Sequence, residues 1–199
     1  MQAHTLHLIN QLQASPCLAI IDLEATCVEE RDPAYPNEII EIGLVIWNRQ
    51  TSSFLKKQIY VKPRLSSITP FCTQLTGISD ATLSNATPFP QALQTLNSAL
   101  SKFPNITHWL SYGAYDKNQF QRQAQRDNTA LGHFANIPHV NIKEQAWLAL
   151  GNNPNRRPPG LSGALSSVGL SFIGSPHSGI DDAYNIARFT KEVLSRLPT

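Results

Sequence analysis

The chain has 199 residues, 41% of them hydrophobic, with 16 lysines and arginines against 14 aspartates and glutamates, for a formal charge of +2. That length suits one domain with a sizeable core, and that charge permits contact with a polyanion without demanding it. No run approaches the roughly 18 to 20 apolar residues that span a bilayer, MQAHTLHLIN lacks the pattern of a secretion signal, and Cys17, Cys27 and Cys72 form no CxxC pair. A soluble, cytoplasmic protein with reduced thiols, no membrane contact and no structural zinc is expected.

Leu6, Leu8, Ile9 and Leu12 predict a short surface helix over residues 2 to 13, ended near Pro16. Cys17 to Ile21 is a continuous apolar run of strand length, suited to burial on both faces, and it stops at Asp22. Residues 39 to 48 and 54 to 62 read as two strands joined by the polar turn Arg49 to Ser53. Pro70 opens a short helical turn that Gly77 ends, and Phe89, Leu93, Leu96 and Leu100 mark a helix from about Pro88 to Lys102. His108 to Ser111 is a strand broken by Gly113, and Tyr115 to Arg126 is a helix with Phe120 and Ala124 inward. Val140 and Ile142 mark a further strand and Lys143 to Leu150 a further helix. Residues 151 to 160, GNNPNRRPPG, read as an exposed basic loop. A helix from Leu161 and a last one from Ile180 to Leu197 complete an α/β chain with a mixed sheet.

Asp22 and Glu24 stand two apart on a strand, so both carboxylates leave the same face. Two such charges repel unless a cation or a shared proton relieves them. In the last helix Asp182, Ile186, Phe189 and Val193 form the inward stripe, with Asp181, Asn185, Arg188 and Glu192 on the wet side. Asp182 therefore needs a metal, a proton or a basic partner. Asp116 shares a helical face with Phe120 at the start of its helix, and His177 lies in the irregular Gly174 to Gly179 stretch before Asp182. Oxygen donors suit hard cations such as magnesium or manganese better than zinc. Taken together, the carboxylates favour a metal site over separate surface acids.

The segments LAIIDLEATC, NEIIEIGLVIW, YVKPRLSSITPFCTQLTGIS, LSYGAYDKNQF and GLSFIGSPHSGIDDAYNIAR occur in family order. In them the chain resembles the DEDDh group of the ribonuclease T and polymerase-proofreading exonuclease superfamily. The likeness is greatest to the branch of the histone-mRNA 3′ exonuclease and the RNA-interference-regulating exonucleases, and it covers residues 18 to about 197. It implies a ribonuclease H-like fold and one exonuclease domain over 1–199, with 1–16 as an N-terminal helical extension and 17–199 as the catalytic core. It implies that Asp22, Glu24, Asp116 and Asp182 hold two magnesium or manganese ions, that His177 is the general base, and that Asp182 rather than Asp181 is the ligand. The terminal-nucleotide pocket would comprise Glu24, Ala25, Thr26, Phe71, Leu75, Tyr115 and His177.

The expected activity is 3′-to-5′ hydrolysis of single-stranded RNA or DNA, RNA favoured, releasing nucleoside monophosphates. The sequence leaves the oligomeric state open. The histone-mRNA enzyme carries a further N-terminal nucleic-acid-binding domain, so its stem-loop substrate is not implied, and Tyr115 replaces its tryptophan, which changes the pocket's size. Two alternatives remain at this point: a catalytically silent binding module of the same fold, and a proofreading exonuclease working inside a polymerase assembly.

Overall fold

The computed structural model describes residues 3–30 and 32–198. The chain opens with helix α1 (Ala3–Ala14), which buries Thr5, Ile9 and Leu12; residue 2 of the expected helix lies outside the described residues. Strand β1 (Cys17–Ala25) follows. Next come β2 (Ile39–Asn48) and β3 (Ser53–Lys62) as the expected hairpin, α2 (Pro70–Thr76), β4 (Thr87–Pro88) and α3 (Phe89–Leu100). β5 (Ile106–Ser111) leads into α4 (Tyr115–Arg126), then a 3₁₀ turn over Gly132–Asn136, β6 (His139–Asn141) and α5 (Ile142–Ala149). The exposed segment 151–160 separates these from α6 (Leu161–Ser167) and α7 (Gly179–Arg196). Among the described residues no helix is long and apolar enough to cross a membrane.

The strands form one mixed sheet in the order β4-β3-β2-β1-β5-β6. β1 pairs antiparallel with β2 and parallel with β5, which places it at the centre and explains its uninterrupted apolar run. β4 pairs with only Val61 and Lys62 of β3, so residues 53–60 form an outer edge. Side chains alternate across each strand. Leu18 and Ile20 of β1, with Val45 and Trp47 of β2, meet Ile186, Phe189 and Val193 of α7 on one face. Ala19, Ile21 and Leu23, with Ile42, Leu44 and Ile46, meet Phe89, Leu93, Leu96 and Leu100 of α3 and Phe120 of α4 on the other.

β1 carries both Asp22 and Glu24, as expected, and runs to Ala25 because its antiparallel pairing with β2 continues past the acids. Two expectations are corrected here. Ile142 belongs to α5 rather than to a strand, since β6 pairs with β5 only as far as Asn141. Asn185 is not on a wet face: it is fully buried, and its side-chain amide accepts from Ile173 N (3.0 Å) and donates to Ile173 O and Asp181 O (2.8 Å each). The segment before α7 folds back over that side of the helix.

Candidate active site

Asp22 and Glu24 continue the Leu18–Ile20 row of β1 and so project from the α7 face of the sheet. Across the pairing, Asp22 lies opposite Gly43 and Glu24 opposite Glu41. Gly43 explains how α7 reaches these acids. A methyl group at that position would overlap the Gly179 carbonyl and the Ile180 nitrogen, so the bare backbone of β2 lets the first turn of α7 descend onto the sheet.

Glu41 then joins the two elements. Its buried carboxylate accepts from Gly179 N (3.1 Å), Ile180 N (2.9 Å) and Gln58 Nε2 (2.9 Å). Ser178 at the helix N-cap makes no side-chain capping bond, so an acid from the sheet satisfies the first amides of α7 and complements its dipole.

Asp116, in the first turn of α4, is delivered from the other side of β1. Pairing between β1 and β5 ends at Ile20 and Leu110, and Gly113, at φ 134°, turns the chain out of the sheet. The Leu23 N–H beyond that last pair donates to Asp116 Oδ1 at 3.0 Å. Asp116 and Glu24 are buried, Asp22 and Asp182 partly buried, and His177 exposed.

His177 has φ 64°, a left-handed backbone uncommon outside glycine, and its N–H donates to Asp182 Oδ2 at 2.8 Å. Asp181 reaches back in the same way to Ser175 N (2.9 Å). The two neighbouring aspartates thus hold the segment before α7 from two directions, and only Asp182 faces the other acids.

The other residues of the expected pocket divide into two groups. Phe71 and Leu75, one turn apart on α2, lie on its unburied side, and α2 is held to the end of β1 by Thr69 Oγ1 donating to Cys27 O (2.8 Å). Tyr115 is 46% exposed, and its hydroxyl donates to Asn37 Oδ1 (2.8 Å). Thr26, by contrast, is fully buried, with its hydroxyl bonded to Ser66 Oγ and accepting from Glu38 N, both at 2.9 Å. Its hydroxyl is engaged within the fold, beside the buried Ala25.

Burial first, and then the charges of Asp116, Asp182, Glu24 and Glu41, raise the Asp22 carboxyl well above the ordinary carboxylate range. Burial, with Asp182, Glu41 and Asp116, pushes Glu24 up to about 9. Asp116 is raised to about 6 by burial against the lowering effect of the Leu23 N–H, and Asp182 to about 6 by burial against that of the His177 N–H. Among the described residues, no lysine or arginine forms an ion pair with any of these acids. Protons or cations must offset their charge. One ligand atom from each of Glu24, His177 and Asp182 lies within 4.8 Å of the others, a grouping that fits a metal ion. Asp22 and Asp116 adjoin that group without belonging to it.

The family model for exonucleases matches residues 19–190. The chain belongs to the exonuclease family. The human relative named 3′-5′ exoribonuclease 1 is 32% identical over 186 residues, covering 89% of this chain and 52% of its own length. The Schizosaccharomyces pombe 3′-5′ exonuclease eri1 is 29% identical over 206 residues, covering 89% of this chain and 68% of its own. The chain thus spans about half the length of the human relative. The solved nuclease domain of 3′hExo, a DEDDh family member bound to rAMP, superposes with a TM-score of 0.83 at 28% identity, covering 92% of this chain and 94% of that one. A 3′-exonuclease solved in a study of histone mRNA stem-loop recognition superposes with a TM-score of 0.82 at 27% identity, over 92% and 65% of the two chains. These exonucleases share the ribonuclease H-like mixed sheet and flanking helices of the present chain.

Glu41, Gly43 and Asn185 carry the site's construction and are not anticipated from sequence. Glu41 leaves a trace, as the one charge in the otherwise apolar run IIEIGLVIW. Gly43 and Asn185 take their roles from chain crossings that local periodicity does not encode.

Proposed function

We propose that this chain is a metal-dependent 3′-to-5′ exonuclease that removes nucleoside monophosphates from single-stranded nucleic acid, RNA favoured over DNA. The observation that carries the proposal is the convergence of Asp22, Glu24, Asp116 and Asp182, from β1, α4 and α7, on one another with raised carboxyl pKa values and, among the described residues, no lysine or arginine paired with them. Names of relatives support the direction of attack and the nucleic-acid class.

Magnesium or manganese fits the oxygen-rich donor set, and two such ions bound there would supply Lewis-acid charge to the scissile phosphate. Asp22, Glu24, Asp116 and Asp182 would hold them. His177, exposed beside Asp182, takes the proton of the attacking water as general base. Its N–H bond to Asp182 fixes the backbone from which the imidazole reaches. Phe71 and Leu75 on α2, with Tyr115 on α4, would receive the terminal nucleotide next to Glu24 and Ala25, the aromatic rings stacking without reading base identity.

End-labelled single-stranded RNA and DNA of matched sequence, incubated with magnesium, manganese or chelator, test this directly. Stepwise release of mononucleotides from the 3′ end is expected, faster on RNA, and lost with chelator and in Asp22→Ala. Chelator-resistant hydrolysis, or full activity in the substituted protein, overturns the mechanism.

A further inference from the structure

The basic segment between α5 and α6 lies apart from the carboxylates. With Trp147 and Leu148 of α5, residues Pro154, Arg156, Arg157 and Pro158 line a groove of about 470 Å³. Both arginine side chains are exposed. Arg49, Arg64, Arg122, Arg126, Arg188 and Arg196 each have a hydrogen-bond or ion-pair partner for the guanidinium. Among the described residues, Arg156 and Arg157 are the arginines that have none. Glu144 also lines the groove and pairs with neither.

The segment is shaped by its own hydrogen bonds. Trp147 Nε1 donates to Asn153 O (2.8 Å), Asn155 N to Asn153 Oδ1 (2.8 Å) and Arg156 N to Asn153 O (3.1 Å). The indole's polar edge is thereby satisfied within the segment, which leaves ring surface to the groove. Tyr112, at the end of β5, donates its hydroxyl to Pro159 O at 3.0 Å. That bond ties the segment beside the turn from which α4 presents Asp116.

Planar guanidiniums in a fork-shaped donor geometry match phosphate oxygens, and an adjacent aromatic face matches a base. We propose that this groove is a second subsite, holding the body of a single-stranded nucleic acid upstream of the 3′-terminal nucleotide. The proposal rests on the exonuclease reading for the identity of the strand, and its test uses binding without turnover, so that the two fail separately.

The full chain in chelator is titrated with a long fluorescein-labelled single-stranded RNA, with its DNA counterpart, with a fluorescein-labelled dinucleotide and with poly-glutamate. Anisotropy is followed for the labelled strands and intrinsic fluorescence for all ligands. Trp47 and Trp109 are buried, so Trp147 is the tryptophan that a ligand in the groove reaches. Both long strands are expected to quench Trp147 fluorescence, and Trp147→Phe to remove that quenching. Arg156→Glu/Arg157→Glu is expected to weaken long-strand binding at least tenfold. The same substitution should reduce the slope of log affinity against log salt by about 1.4, at about 0.7 per lost phosphate contact on a single strand. Dinucleotide affinity should fall much less. Far-UV circular dichroism and melting of the exposed double variant establish that it folds. Unchanged long-strand affinity, equal weakening for the dinucleotide, or quenching by poly-glutamate equal to that by RNA would each overturn the subsite. Chelator-resistant hydrolysis with this binding pattern intact would overturn the metal mechanism alone.

Discussion

Asp22 and His177 belong to one site but are held in opposite ways. Asp22 sits on the central strand, fixed by pairing with Gly43 of β2 on one side, just past the end of the pairing with β5 on the other. His177 sits on an exposed segment with a left-handed backbone, held through one N–H bond to Asp182 and, further back, by Asp181 on Ser175. The carboxylate side of the site is built into the sheet, where stability and chemistry are the same contacts. The histidine side hangs from α7, where chemistry can be removed with little effect on the fold. Glu41 and Gly43 are the joint between them.

The largest stability effect is expected at that joint. Gly43→Ala forces β2 and the first turn of α7 apart, at a cost of about 3 kcal/mol, the upper part of the range for overpacking, or about 6–12 °C of melting temperature. Nuclease activity should fall with it, since Asp182 and His177 move with the helix. An unshifted melt, by calorimetry, would mean that strand and helix are not in the contact described.

Glu41→Ala comes next. It strands two amide donors at the start of α7, one of them buried, for an expected loss of about 2 kcal/mol, together with a lower kcat. A melt and a kcat both equal to wild type would show that α7 needs no acid from the sheet.

A smaller effect concerns protons. Glu24, raised from 4.5 to about 9, favours the folded state while it is protonated. That contribution is complete below about pH 4.5 and is lost as pH rises through about 9. Between pH 7 and pH 9, where Asp116 and Asp182 have already released their protons, Glu24 by itself should lower the stability of the metal-free protein by at most about 1.4 kcal/mol per pH unit, and the raised Asp22 carboxyl acts in the same direction. Magnesium or manganese should restore it, most at the alkaline end, and Glu24→Gln should flatten the dependence. Melting temperatures that rise across that window without metal would contradict the assigned sign.

The smallest stability effect belongs to His177→Ala, expected within about 0.5 kcal/mol of wild type. Its rate of hydrolysis should nonetheless drop about 10²- to 10⁴-fold, the usual contribution of a general base. A substantial stability loss here would erase the contrast between the two halves of the site.

The same contrast governs what the sequence alone discloses. Asp22 and Glu24 are legible because strand alternation is local, and the Ile186, Phe189 and Val193 stripe because helical spacing is local. Asp116 and His177 take their roles from family resemblance, since a helix-start acid and a loop histidine have ordinary alternatives. Asn185 misleads, because helical periodicity places it outward while the segment before α7 covers it. β4, of only two residues, is too short to leave a pattern. Glu41 and Gly43 matter only because α7 crosses β2, a meeting of residues 138 positions apart at the Glu41–Gly179 bond.

The outer edge of β3 carries a different consequence. Residues 53–60 present backbone groups with no strand alongside, the kind of template on which a second copy can add and a stack can grow. Lys56 and Lys57 stand on that edge, with no ion-pair partner among the described residues. An antiparallel copy docking there would bring lysines against lysines, so their charge works as a guard against edge-to-edge aggregation. Neutralising it by acetylation or by Lys→Gln exchange would remove that charge barrier from the β3 edge.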